Sequence, residues 1–252
     1  MNDADPPTPR QRYGKALARL SLTIGLGCAA AALLAGPAYR IEWWSLATSL
    51  RTLAGAVMVA GGGTVIGLLA VALLLPGGRR RGTATAMLAV LVNLLVVLPP
   101  LLFYRATADL PPIHDISTDT ADPPRFVDIV PLRSGAPNGL DYPAENARLQ
   151  REAYPEIKSF TMATPPQKSF DRAARAAGAM GWEIVTIAPD ELRIEATATS
   201  FYFGFKDDVV IRVAPSEAGS RIDVRSVSRV GRADFGTNAK RIRDYFSKLK
   251  AS

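Results

Sequence analysis

The segments LRIEATAT (192–199), DVVIRV (208–213) and RIDVRSVS (221–228) lead into a turn, GRADFG (231–236), and then a helical pattern. This stretch decides the fold. Each segment alternates, so every second side chain lies on the same side of a sheet. Leu192, Ile194, Ala196 and Ala198 share a face, as do Val209, Ile211 and Val213, and Ile222, Val224, Ser226, Ser228 and Val230. Arg193, Glu195, Thr197, Arg212, Asp223 and Arg225 take the other face. A one-residue slip would turn a whole apolar set outward, so antiparallel pairing must set Ile211 against Ile222 or Val224. Val224 is the better partner: it brings Arg212 beside Asp223, whereas Ile222 brings Arg212 beside Arg221. That register carries Asp207 across from Ser228.

A polar group therefore collects on the core-facing side at the open end of the hairpin: Asp207, Ser226 and Ser228. The aromatic segment FYFGF (201–205), with Tyr202 and Phe203, enters at this end. Arg229, Arg232 and the start of the last helix, with Asp234 and Asn238, leave from it. Backbone N–H groups at a helix start with arginine nearby suit an anion, and aromatic rings suit an apolar pocket, so these residues form a candidate ligand site. A plainer reading stands beside it. Asp207 and the serines satisfy one another, Asp234 or Thr237 caps the helix, and the aromatics are core. Along 237–250, Ile242, Tyr245, Phe246 and Leu249 face the sheet, and Lys240, Arg241, Arg243, Lys248 and Lys250 form a solvated face.

Upstream, 182–188 reads as a strand, and Pro189, Asp190 and Glu191 turn the chain into the meander. Before it comes a helix, with Thr164 as cap and Pro165 at its first position. Phe170, Ala173, Ala174 and Ala177 form its apolar stripe and Gly181 closes it. A strand at 157–162 and a short helix at 145–152 precede that. Residues 105–144, rich in Pro, Asp, Ser and Thr, show no sustained period and read as an irregular tether. The order strand, helix, four strands, helix predicts an α+β domain over 145–252, with a mainly antiparallel sheet and helices on one face. At the level of fold alone, a long last helix after a meander resembles the helix-grip lipid carriers.

His114 is the only histidine, and Asp115 and Asp119 are near it in sequence. The three do not match the spacing of a closed zinc or copper site, and such residues more often cap turns. No metal or cofactor is expected, and His114 and Asp115 stay as ligand-site candidates. GxSxG, HExxH, a P-loop and a dinucleotide fingerprint are all absent, so no catalytic residue is assigned.

The N-terminal part is of another kind. Residues 1–19 are polar and basic, and the apolar runs 20–38, 53–75 and 84–104 are each long enough for about 30 Å of hydrocarbon. Cys28 is the sole cysteine, which excludes an intrachain disulfide; it is followed by AAAALLAG, so the apolar run continues past the position a lipidated cysteine would need. Lys and Arg outnumber Asp and Glu 9 to 3 over residues 1–104, but only 21 to 20 over 105–252. The net charge of +7 is thus a topology signal and not a nucleic-acid footprint. Basic residues crowd the N-terminal segment and the GGRRRG loop (77–82), which sets both inside and the C-terminal domain outside. The expectation is a multi-pass inner-membrane protein, N-terminus cytoplasmic and C-terminal domain periplasmic. Tyr39, Trp43, Trp44 and Tyr104 sit at span ends, where amphipathic rings favour the headgroup zone. Gly63 and Gly67 form a GxxxG for helix packing, and Asn93 is placed to hydrogen-bond between helices. No span carries a central charge, which argues against an ion pump.

The strings PPIHDIST (111–118), ATATSFYFGFKDDVVIRV (196–213) and RIDVRSVSRVGRADFGTNAKRI (221–242) are similar to those of the domain-of-unknown-function family 1499 (DUF1499). The chain resembles a membrane-anchored bacterial member, over most of 108–250 and with the spans outside the likeness. The resemblance implies an envelope protein and supplies no activity or site residues. The domains expected are then 1–19, a cytoplasmic segment; 20–104, a three-helix anchor; 105–144, the tether and start of the family domain; and 145–252, the α+β domain.

The bilayer is the first partner. The leading expectation is a non-catalytic binding module for an apolar or amphiphilic envelope molecule, such as a lipid. The alternative is an accessory subunit docking an envelope protein partner, and the third reading is a hydrolase using Asp207 or Asp115. An apolar cavity between sheet and helices would favour the first, and a filled core with a flat apolar patch the second. The charge rule makes a direct prediction: a reporter active only outside the cytoplasm will be active when fused at Ser252 and silent at Gly82, and the reverse pattern would invert the topology.

Overall fold

The computed structural model describes residues 8–75 and 80–251, with the side chains of Arg80 and Arg81 left aside. Residues 1–7 and 77–79, which contribute to the topology argument, lie outside the described residues, as does Ser252. The chain divides into a helical unit running to Ala108, which also takes in Tyr202–Gly204, and a mixed unit formed by the rest.

The helical unit has α1 (Pro9–Arg40), α2 (Leu46–Leu74) and α3 (Arg80–Thr107). All three are long and apolar enough to cross a membrane. Thr8 and Gln11 open α1 with a reciprocal capping box, and the Ser45 hydroxyl accepts from Thr48 N at 3.1 Å to open α2. Helix contact is set by missing side chains. A Cβ on Gly63 would collide with Asn93 and Ile24, and one on Gly67 with Ser21 and Val90, so the GxxxG packs these three helices on one another. Asn93, fully buried, donates from Nδ2 to Ser21 O at 3.0 Å and Ala89 O at 2.8 Å, and Ser21 Oγ donates to Gly63 O at 2.7 Å. This polar staple ties one helix to the other two.

The mixed unit has an antiparallel sheet in the order β1-β6-β5-β4-β3, with β2 also on β6. Its strands are β1 (Asp115–Ser117), β2 (Phe160–Met162), β3 (Glu183–Ala188), β4 (Arg193–Thr199), β5 (Lys206–Ser216) and β6 (Gly219–Ser228). Helix α4 (Ala144–Ala153) precedes β2, α5 (Pro166–Gly178) follows it, and α6 (Thr237–Ala251) ends the chain. The β5–β6 register is the one that charge pairing selects: Ile211 faces Val224, Arg212 faces Asp223 and Asp207 faces Ser228.

Helices α5 and α6 cover one face. Phe170, Ala173 and Ala177 from α5 and Ile242, Tyr245 and Leu249 from α6 share a core with Ile194, Val209, Ile211, Ile222 and Val224. The layer is filled: Tyr245 is fully buried, stacks on Trp182 at 5.8 Å and donates to Ala173 O at 3.2 Å.

Some boundaries differ from the expected ones. Helix α5 begins at Pro166, with Pro165 as its unassisted N-cap, and the Thr164 hydroxyl meets Ser169 Oγ at 2.5 Å instead of capping. Leu192 is not the first residue of a strand: its φ of 50° closes the Pro189–Glu191 turn in the left-handed region, and β4 starts at Arg193. Within 105–144 the chain first completes α3, then forms β1 and a 3-10 turn at Val130–Arg133. The free side of β1 is closed by a side chain: buried Gln150 on α4 accepts from Ser117 N at 2.8 Å and donates to Ser117 O at 2.6 Å, as a neighbouring strand would.

The second face of the sheet is covered as well. Phe126 and Ile129 pack on Val210 and Val227 as a small second core. Charged side chains of the meander are buried beneath this cover and each is paired. Glu195, fully buried, accepts from Val127 N and Ile129 N at 2.7 Å each and is paired with Arg193. Asp208, also fully buried, takes Arg133 at 2.5 Å, Arg229 at 2.8 Å and Thr197 Oγ1 at 2.8 Å. Glu195→Ala will leave the two amides without their acceptor and strip Arg193 of its buried carboxylate, leaving it Asp128 and Glu191; a loss of about 3 kcal/mol in urea unfolding is expected, with faster amide exchange at Val127 and Ile129. Unchanged protection there would show that the cover does not depend on Glu195.

Candidate functional site

The meander's register gathers Asp207, Ser226 and Ser228 on the helix-facing side, and α6 supplies the groups that answer them. Asp234, three residues before α6, caps the helix start from the preceding turn: its carboxylate accepts from Gly236 N at 2.9 Å and Asn238 N at 2.8 Å. Phe235 and Gly236, at φ 53° and 80°, turn the chain so that both amides reach it. Asn238, the second residue of α6 and fully buried, accepts from Ser226 Oγ at 2.6 Å and donates to Ser228 Oγ and to His114 O at 3.0 Å each. Arg241 lies on the same helical stripe. Its guanidinium donates to Asp207 at 2.5 Å and Ser226 Oγ at 3.0 Å, and also reaches Asn238 Oδ1.

Arg241 is therefore not part of a solvated face, and sequence reading missed its role. A signal was present: Asp207 on a core-facing position needs a cation, and Arg241 follows Asn238 by three residues on the helix. Asp207, the two serines, Asn238 and Arg241 form one internally satisfied network.

The other candidates separate. Arg229 lies on the opposite face of the sheet, held by Asp208 and by Leu132 O at 2.9 Å. Tyr202 and Phe203 do not join the polar group either; they fall with the helical unit, where the Tyr202 hydroxyl meets Ala32 O and Phe203 lies edge-on to Tyr39 at 6.3 Å.

His114, Asp115 and Arg232 meet at an open cleft of about 370 Å³, which Asn138, Asp141 and Asn146 also line. β1 and the turn before α6 position the first three, because His114 O accepts from Ser228 N at 2.9 Å and Ile113 O from Asp234 N at 3.0 Å. Asn138 fastens the far wall, donating to Ser228 O at 3.0 Å and Gly231 O at 2.8 Å, and Asn146 donates to Asp115 O at 2.8 Å. Asp115 is 2% exposed and doubly bonded to Arg225, at 2.6 Å and 3.0 Å; burial pushes its carboxyl above the usual range against the pull of that arginine. Arg225 sits 5.4 Å from the Phe126 and Tyr142 ring centres, a cage that no local sequence pattern announces.

Two polar groups of the cleft have no partner among the described residues. His114 Nδ1 is buried with no hydrogen bond, and exposed Arg232 meets no acceptor among the described residues. Asp119 does not join His114 in a metal site: one carboxylate oxygen caps its own turn through Ala121 N and Asp122 N, and the other faces Arg212 and Arg221. Among the described residues no set of three His, Cys, Asp or Glu side chains is placed to hold a metal ion.

The Asp234 carboxyl is raised, first by burial and also by Asp207, with the cap amides acting against this. Because the folded value lies above the ordinary 3.8, the native state holds the proton more tightly. The resulting stabilisation is complete below the ordinary value and is lost as pH rises through the folded one. Asp234→Asn keeps a capping acceptor but cannot titrate. The stability of wild type relative to this variant should therefore fall from mildly acidic to neutral pH in urea melts. A gap that widens with rising pH would mean that the carboxyl is lowered.

Among curated proteins nothing matches the chain. One family model does, described as protein of unknown function (DUF1499), over residues 115–249. That span begins at the cleft aspartate and closes with α6, so it takes in the whole sheet, and the chain belongs to the DUF1499 family.

Proposed function

We propose that the mixed unit is a non-catalytic binding module, held at the inner membrane and facing the periplasm, for the polar end of an envelope amphiphile. The observation that supports it is the cleft itself: an open space of about 370 Å³ bordered by an arginine and a histidine Nδ1 that have no partner among the described residues. Buried polar atoms in folded proteins are satisfied with few exceptions, and an exception beside an open cleft marks a place for a ligand group. Arg232 and the neutral donors suit a phosphate or carboxylate, and Asp141 a cationic substituent.

The binding mode is narrower than the sequence led one to expect. Helix-grip carriers enclose their ligand between sheet and helices, whereas here that layer is occupied by Ile242, Tyr245 and Leu249, all fully buried. A surface cleft takes a headgroup; it does not swallow acyl chains. A hydrolase built on Asp115 or Asp207 has less support, because both carboxylates are held by arginines, Arg225 and Arg241.

One observation favours the docking reading as well: Val127, Val130 and Leu132 of the covering segment are 51%, 48% and 54% exposed. Native mass spectrometry of the full chain, extracted gently from its own membrane, separates the two. A small adduct that Arg232→Ala reduces at least tenfold is expected. A stoichiometric second protein, lost on Val130→Asp but not on Arg232→Ala, would replace the binding module with the docking subunit.

A further inference from the structure

The helical unit carries a second basic cleft, separate from the one above. On α1, Lys15 and Arg19 are one turn apart, and with Ala18 they line a groove of about 160 Å³ whose other wall is Gly82 and Thr85 of α3. Its floor is firm: Ala18 is 1% exposed and packs with Ala70, Leu74 and Ala86, so all three helices meet beneath it. Gly82 keeps the wall low, since a Cβ there would lie 3.4 Å from Lys15 Cγ. Neither Lys15 nor Arg19 meets an acidic group among the described residues.

The depth of the groove names its occupant. Arg19 directly precedes the apolar run 20–38, and Gly82 and Thr85 bracket the start of the run 84–104. The groove therefore opens where these helices leave hydrocarbon, at the level of lipid headgroups. Two cations there, in a cleft between membrane helices, have no counter-charge among the described residues and match an anionic headgroup. We infer that this groove binds the phosphate of one anionic phospholipid, with Lys15 and Arg19 as its charge partners and the Thr85 side chain beside it. The acyl chains then lie along the lipid-facing surfaces of α1 and α3, where Leu20, Leu26, Met87 and Leu88 are exposed.

The test uses the full chain in detergent, equilibrated with equal amounts of phosphatidylglycerol and phosphatidylcholine and read by native mass spectrometry. Wild type should retain one phosphatidylglycerol in preference to phosphatidylcholine. Arg19→Gln should lower that retention about fivefold and Lys15→Gln with Arg19→Gln abolish the preference, whereas Arg12→Gln, which removes the same charge from the same helix outside the groove, should not. Gly82→Leu, which keeps both cations and fills the space, should also lose the lipid. Equal retention of the two lipids, equal loss with Arg12→Gln, or displacement of the lipid by excess glycerol 3-phosphate would each overturn the site.

Discussion

The meander is buried on both faces, and charges on a doubly buried sheet must find partners inside the protein. This constraint shapes everything around it. Alternation delivers Glu195, Asp208, Asp223 and Arg225 to the face away from α5 and α6, and the segment after β1 closes over them. An unpaired charge in such a place costs several kcal/mol. Each one accordingly has a fixed partner: Arg193 for Glu195, Arg133 and Arg229 for Asp208, Arg212 and Arg221 for Asp223, Asp115 for Arg225. The cover is held less by its small apolar core than by what it brings to these charges, including two backbone amides for Glu195. Such pairing adds little net stability but specifies one arrangement, because any other leaves a charge alone.

The same logic fixes α6 on the other face. Asp207, Ser226 and Ser228 sit at the end of an otherwise apolar surface, and Asn238 and Arg241 satisfy them only if the helix starts at one place and with one rotation. Asp234 sets the start and Asn238 the rotation. What this leaves over is informative. Among the groups left without a partner in the described residues are Arg232 and His114 Nδ1, and these two border the same cleft. The membrane-spanning unit reaches a similar economy by different means: in the absence of a hydrophobic drive between apolar helices, missing side chains at Gly63 and Gly67 and one buried Asn93 hold the three together.

How much of this was legible beforehand depends on the range of the interaction. Periodicity is local, and so the three spans, the meander, its register and the α+β order could all be read from residue patterns, down to Ile211 against Val224. The polar group at the open end was legible for the same reason: register carries Asp207 to Ser228 wherever the sheet sits. A three-residue strand such as Asp115–Ser117 has no period to detect, and it exists because β6 offers an edge on one side and Gln150 an amide on the other.

Which candidates share a site is a different kind of question. Alternation tells which face a side chain takes but not what lies over that face, so Arg229 and Arg232, three residues apart, part company: one pairs with Asp208 across the sheet, the other lines the cleft. His114 meets Arg232 across more than a hundred residues of chain because the His114 carbonyl joins the β6 ladder. Arg241 turns inward because a buried carboxylate opposite it offers more than water does. Local patterns therefore determine the elements, their register and the membrane spans, since those rest on interactions between near neighbours. The tertiary structure alone decides the cover over the second face, the filling of the core and the composition of the cleft, since desolvation and charge pairing depend on which distant segments exclude water together.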